Sequence, residues 1–584
     1  MGKRLPLLPA LEWLRAYDRQ ALADDLMASV IVTIMLIPQS LAYAMLAGLP
    51  PEAGLYASML PLVAYAAFGS SRVLAVGPVA VVSLMTASAL AKVTADGSAG
   101  YVEAAMVLAL LSGGLLVLLG ILRVGFLANF LSHAVISGFV TASGILIAVG
   151  QLRHVLAVDA DGHSVVEIGG ALLAALPDTH GPTLAIGAGA IAFLLFVRSR
   201  LGALLVRLGV RPQLATYVTR AGPVFAVIAS IVLVGALGLA QAGVPIVGVV
   251  PSGLPSLRLP LPDAGLVLEL LPSAVLISVV GFVESISVAQ SLAMRRRQRV
   301  EPDQELVGLG VANLAAGVSG GFPVTGGFTR SVVNFDAGAV SPLAGVFTAV
   351  LMGLTAALLT PAFHDLPKAV LAATIIVAVL SLVDLGALRR TLRQSPSDFA
   401  ALLATMVGVL AIGIEAGIVL GVAVALGLHL WRTSRPHIAV VGRVPGTEHF
   451  RNVDRHAVQT CETLLSVRVD ESLYFANARF LEDRLLELVT ERPAVTDVVL
   501  VCSAVNGVDG SAVETLESIN ERLHVAGVRF HLSEVKGPVM DALKRTDLLQ
   551  HLSGEVFFTQ HEAVQRLAPG ATLPPVSEAV RRIG

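Results

Sequence analysis

The stretch GGFTRSVVNF, residues 326–335, sets Arg330 in a run of small and apolar residues, with Glu305 the nearest ionisable group before it and Asp336 the nearest after it. A guanidinium is always charged. At the centre of a bilayer such a charge costs about 2.5–3.5 kcal/mol even on the mildest scale, so it persists there only where the protein uses it. The paired glycines divide the segment. FPVT (322–325) reads as extended chain, Gly326–Gly327 as a break, and the run from Phe328 as a short helix.

The same grammar occurs once more, far upstream. FGSSRVLAVGPVAVVSLM (68–85) is a β-branched extended piece, then Gly77–Pro78, then a helix-compatible run. Pro78 is expected at the first helical position, where its missing N–H is not needed. Backbone that is neither helix nor closed sheet is tolerated at membrane depth only where it is buried in protein or lines a cavity.

Composition places both segments in a membrane. Of 584 residues 55% are hydrophobic and 14% charged, with a mean hydropathy of +0.79. A soluble globular chain carries about 25% charged residues. A formal net charge of −2 gives no reason to expect a nucleic-acid partner, and two cysteines, Cys461 and Cys502, cannot build a disulfide framework or a metal site. Residues 1–24 are polar and amphipathic and lack a signal peptide's short apolar region and cleavage site.

A spanning helix needs about 20 mostly apolar residues. Apolar segments fall near 25–46, 53–69, 77–92, 101–122, 131–150, 181–198, 221–240, 268–294, 304–320, 327–335, 340–362, 367–386 and 398–431. With the N-terminus inside, the loops after even spans hold fourteen arginines and those after odd spans only Lys92, Arg153, Arg258 and Lys368. Cytoplasmic loops collect Lys and Arg. Arg432 and Arg435 should also be inside, so 398–431 is read as two helices turning near Gly413–Glu415–Gly417, giving fourteen spans. A twelve-span chain with that last run re-entrant is the alternative.

The interrupted segments are then spans 3 and 10, seven apart, and the chain reads as two seven-span halves of opposite orientation. Paired broken helices at equivalent positions point to a transporter's midplane site. Two helix N-termini facing each other there would bind an anion through free N–H groups and helix dipoles. Arg330, in the first turn of the second, would add a full charge; the bland alternative pairs it with an acid or lets it snorkel. Glu284, mid-helix in span 8 among apolar neighbours, suits a group that takes up and releases a proton, or else forms a structural ion pair. Gln39 and Tyr43 in span 1 share one helix face, either lining a polar cavity or making ordinary interhelical hydrogen bonds.

PEAGLYASMLPLVAYAAFGSSR (51–72), PQSLAYA in span 1, GFVESIS in span 8 and GGFTRS in span 10 together resemble the SulP sulfate-permease family, whose relatives include prestin and pendrin. The resemblance covers about residues 20–565; Ala53 departs from it, standing where the family often has an aromatic. It implies a core domain (spans 1–4 and 8–11), a gate domain (spans 5–7 and 12–14) and a homodimer. It implies an anion held by Gln39, Tyr43, Val79, Ala80, Phe328, Thr329, Arg330 and Ser331. It implies proton coupling at Glu284, since sodium-coupled bicarbonate members lack the arginine.

After Trp431 the chain turns polar, and residues 432–584 alternate strand and helix patterns, as in TLLSVRVDESLYFANARFLEDRLLELV and VRFHLSEVK. This part looks like a STAS domain. Asp509-Gly510-Ser511 sits where related antagonists are phosphorylated, with a plain helix N-cap as the competing reading. The expectation is a multi-pass protein of the inner (plasma) membrane, N-terminus and STAS domain cytoplasmic. It should carry sulfate with protons, bicarbonate or a C4-dicarboxylate being the alternative cargo, and be neither an enzyme nor a cofactor protein.

Overall fold

A computed structural model describes residues 9–14, 17–93, 99–126, 133–160, 162, 164–261 and 264–569. The ends of the expected N-terminal segment (1–8) and C-terminal domain (570–584) lie outside the described residues. The chain forms two compact units, Met1–Ala425 and Leu426–Gly584.

The first unit is helical. Its membrane-scale helices are α1 (Arg19–Leu46), α2 (Leu60–Phe68, preceded by the short helix Pro51–Tyr56), α3 (Ala80–Leu90), α4 (Ala99–Ile121), α5 (His133–Leu156), α6 (Gly181–Phe196) and α7 (Gly222–Leu237). They continue as α8 (Ala264–Arg295), α9 (Pro302–Val318), α10 (Phe328–Asp336), α11 (Leu343–Leu358), α12 (Lys368–Val379), α13 (Pro396–Ala411) and α14 (Ile414–Thr433). Among the described residues six stretches, including α1, α4, α5 and α8, are long and apolar enough to cross a membrane by themselves. Two-residue strands β1 (Val76–Gly77) and β2 (Thr325–Gly326) precede α3 and α10.

Local chemistry explains the breaks. The run 398–431 divides at Ile412–Gly413, where Gly413 takes φ 132°, so it is two helices. The expected second span is itself broken at Ala57–Met59. Pro78 is not the first helical residue. Val79, with φ −133° and ψ 152°, is the N-cap and α3 begins at Ala80, so the proline prolongs the extended entry. The connections also carry helices Val165–Ala175, Pro212–Arg220 and Leu385–Gln394, which no apolar run announced.

Glycine lets helices touch by backbone. A Cβ on Gly310 of α9 would lie 2.7 Å from Val117 N and 2.8 Å from Gly113 O of α4, so both helices depend on bare glycine there. In GLLVLLG (114–120) Gly120 packs this way, whereas Gly114 meets nothing. At one end of the unit Lys92, just past α3, pairs with Glu415 in the first turn of α14. Ser273 of α8 donates to the same carboxylate at 2.8 Å.

The second unit is an α/β layer built on six strands: β3 (Ile438–Arg443), β4 (Phe450–Asn452), β5 (Leu464–Val469), β6 (Asp497–Val501), β7 (Arg529–Ser533) and β8 (Val556–Phe557). Their order is β4-β3-β5-β6-β7-β8, parallel from β5 to β8 and antiparallel at β3. Helices α15 (Ala478–Thr490) and α16 (Gly510–Val525) cover the sheet with Leu481, Leu485, Leu516 and Ile519, all buried. The β6 run DVVLV is buried throughout, as a central parallel strand requires.

Candidate functional site

The site is built where the two broken segments cross. β1 and β2 pair antiparallel, Val76 opposite Gly326 and Gly77 opposite Thr325, which brings two helix starts together. Val79 caps α3 and Gly327 caps α10, and neither helix has a side-chain cap. The first N–H groups of a helix have no intrahelical partner, so both N-termini offer donors and positive partial charge at one place.

Two residue pairs cannot satisfy the extended backbone on either side, and side chains take over. Asn313 of α9 accepts from Val324 N at 2.9 Å and donates to Val324 O at 2.8 Å. Ser285 of α8 accepts from Gly326 N at 2.8 Å. Across the crossing, Ser331 accepts from Ala75 N at 2.9 Å, and Asn334 donates to Val73 O at 3.0 Å. Thus α10 braces the segment leading into α3 through two side-chain hydrogen bonds. Glu305, wholly buried at the start of α9, accepts from Ser70 N (2.7 Å), Ser70 Oγ (2.7 Å), Ser71 N (2.8 Å) and Tyr65 Oη (2.8 Å).

A cavity of about 470 Å³ opens against this crossing. Gln39 and Tyr43 of α1, Val79 and Ala80 at the start of α3, Glu284 of α8, and Phe328, Thr329 and Arg330 of α10 all line it. Its other wall comes from α6, α7 and α12 and from the connection between α6 and α7, which supplies Arg198 and Thr219, with Thr374 on α12. Arg330 is 2% exposed, and neither Nη1 nor Nη2 has a hydrogen-bond partner. Among the described residues it forms no ion pair within 4.0 Å, so Glu284 shares its cavity without direct contact. The guanidinium lies in a slot between the two glycine breaks: a Cβ on Gly77 would stand 2.7 Å from Nη1, and one on Gly327 2.9 Å from Nη2.

One expected ligand lies elsewhere. Ser331 does not line the cavity; its hydroxyl also donates to Gly327 O at 2.7 Å, because one turn past the N-cap a serine faces the crossing strand. Sequence reasoning missed Asn313, Ser285 and Glu305. The signal for the first was available, since an amide in the glycine-rich run GVANLAAG is costly in apolar surroundings unless it bonds.

In the second unit Asp509 caps α16, accepting from Ala512 N and Phe475 N, each at 2.9 Å, and Ser511 is exposed in the first turn.

Residues 22–405 match the sulfate permease family and residues 455–563 match the STAS domain. The chain belongs to the sulfate permease family. It is 35% identical over 573 residues to probable sulfate transporter 4.2 of Arabidopsis thaliana, covering 96% of this chain and 83% of that one. It is 32% identical over 561 residues to a probable sulfate transporter of Mycobacterium tuberculosis, covering 95% and 97%. Murine Slc26a9, an anion transporter solved in its inward-facing state, shares the fold at a TM-score of 0.87 and 22% identity, over 96% of this chain and 94% of that one. The transmembrane domain of the cyanobacterial bicarbonate transporter BicA superposes at 0.58 and 21% identity, over 69% and 98%. This is a multi-pass membrane transporter with a C-terminal STAS domain, and not an enzyme.

Proposed function

We propose that the protein is a secondary active anion transporter that takes up sulfate with protons by alternating access. One observation carries the reading: a guanidinium buried to 2% exposure, with both terminal nitrogens unpartnered, on a cavity wall between two uncapped helix N-termini. An unpaired buried charge is too costly to keep without a ligand of opposite sign. The relatives named as sulfate transporters favour sulfate as that ligand.

On this reading α1–α14 are fourteen crossings arranged as two inverted repeats. The core comprises α1–α4 and α8–α11, the gate α5–α7 and α12–α14, and two copies form a homodimer. Gln39, Tyr43, Val79, Ala80, Phe328, Thr329 and Arg330 surround the anion, and Glu284 takes up the proton that offsets part of its charge. The core then moves along the gate as a body, carrying the anion with it. The gate wall of the cavity carries Arg198 and Thr219, both in the arginine-rich connection 198–220, which charge asymmetry assigns to the cytoplasm. The cavity is accordingly the inward-facing one, in an inner (plasma) membrane with both termini cytoplasmic. At Asp509 and Ser511 the capping geometry supports a structural role.

Uptake of labelled sulfate into proteoliposomes at two pH values, with bicarbonate, fumarate, oxalate and molybdate as competitors, tests substrate and coupling together. R330A should abolish uptake, and E284Q should remove pH-gradient-driven uptake while sparing exchange. Full sulfate uptake in R330A would overturn the anion site; unchanged proton-driven uptake in E284Q would overturn the coupling role. Stronger competition by bicarbonate or fumarate than by unlabelled sulfate would reassign the cargo.

A further inference from the structure

The segment Val324–Gly326 delivers the chain to Gly327 and Arg330 with only two residues in sheet register. One side chain supplies what a neighbouring strand would. The Asn313 carboxamide bonds both polar groups of Val324, accepting from its N–H at 2.9 Å and donating to its carbonyl at 2.8 Å, and it also donates to Leu309 O at 2.9 Å. The next two residues are held by α8. Thr325 Oγ1 donates to Gly281 O at 2.6 Å and lies 2.5 Å from Ser285 Oγ, which accepts from Gly326 N at 2.8 Å. Asn313 is 1% exposed and Ser285 not at all, and neither lines the cavity, so neither can touch an anion there.

What they hold does touch it. The guanidinium rests on the backbone just beyond, so close to Gly327 that an added Cβ would stand 2.9 Å from Nη2 and 3.0 Å from Nε. A displacement of residues 324–327 therefore displaces the guanidinium and the first-turn N–H groups of α10 together. We propose that Asn313 and Ser285 are positioning residues for the anion site, setting where Arg330 and the α10 N-terminus meet the anion. This rests on the reading of Arg330 as an anion ligand. It assigns a task in substrate affinity to two side chains that reach the substrate only through the backbone.

The prediction is a split between affinity and turnover. Small misplacements of binding groups cost one to two orders of magnitude. In purified full-length protein, N313A and S285A should each weaken sulfate binding by titration calorimetry by about tenfold. In proteoliposomes they should raise KM to match, with Vmax per folded transporter within about twofold, the range left once the binding groups keep their identity. S285T, which keeps the hydroxyl, should bind more tightly than S285A. S285A removes one oxygen and carries the test alone if N313A does not fold. In an R330K background, adding S285A should cost less than it does alone, because groups acting through one contact are not additive. Unchanged affinity in well-folded S285A, or a fall in Vmax at constant KM, would overturn the assignment. R330A separates the two ideas. If R330A binds sulfate as tightly as the parent, the anion site itself is wrong. If R330A loses binding while S285A keeps it, only the positioning role fails.

Discussion

At Arg330 two large terms oppose each other. Removing a guanidinium from water costs several kcal/mol, and no hydrogen bond to either terminal nitrogen returns it. The slot that holds it is shaped by what is missing at Gly77 and Gly327. Gly77 takes φ +154°, which strains any side chain, so the cleaner probe is Gly327 at φ −78°: G327A would put a carbon 2.9 Å from Nη2, and the guanidinium must shift by a few tenths of an ångström. The expected outcome is normal folding with sulfate affinity weakened about tenfold, read by titration. Losing a preorganised charged donor outright costs about a hundredfold or more, so R330A should fall well below G327A in the same assay. The arginine and its two glycine breaks were legible because charge and backbone freedom are written in single letters. Ser331 was misplaced because which way a hydroxyl turns depends on a strand more than 250 positions upstream.

At the scale of elements, α9 does the bracing. Glu305 gathers four hydrogen bonds from the chain entering α3. E305Q would turn one of its acceptor oxygens into a donor facing donors, and each stranded buried group costs about 1–3 kcal/mol. The melting temperature of the purified protein should fall, while E305D should fall less if its shorter carboxylate still reaches Ser70. In the STAS domain the neutral His531 donates to Asp497 Oδ1 (3.0 Å) and accepts from Glu555 N (2.8 Å). Burial holds its imidazole below the ordinary value of 6.5, against the pull of Asp497. The unfolded chain therefore binds the proton first, so this stability is complete above about pH 6.5 and declines as pH falls below it. Hydrogen-exchange protection of β7 and β8 should weaken between pH 7 and pH 5, with a flatter profile in H531Q. The half-helices could be read because glycine and proline punctuate the chain. The break before α2 and the true start of α3 could not, since each depends on how neighbouring helices crowd the backbone. Glu305 had no assigned role for the same reason: its partners lie 234–240 positions away.

Across the whole transport unit, the Lys92–Glu415 pair with Ser273 joins elements assigned here to core and gate, at the end away from the arginine-rich connections. The pair is partly exposed, 54% at the lysine and 22% at the glutamate. Such pairs are worth about 0.2–1 kcal/mol, so E415A should raise the outward-open population by up to about fivefold, not lock the transporter there. Ser88, which lines a cavity of about 250 Å³ near this pair, is a reporter. In a background lacking Cys461 and Cys502, S88C should label faster from the outer side when E415A is added. Equal labelling rates would show the pair to be ornamental.

The bracing of the two broken helices also has an order in time. Among the partners of residues 70–75 are Glu305 and Ser331, 235 and 256 positions later. A ribosome adds about 5–20 residues each second, so the first half-helix enters the membrane on the order of ten seconds or more before anything can complete it. Throughout that interval the backbone N–H groups of Ser70, Ser71 and Ala75 lack their native partners. Biogenesis must therefore shelter the first half of this protein in a wet or protein-lined place until the tenth helix has been made.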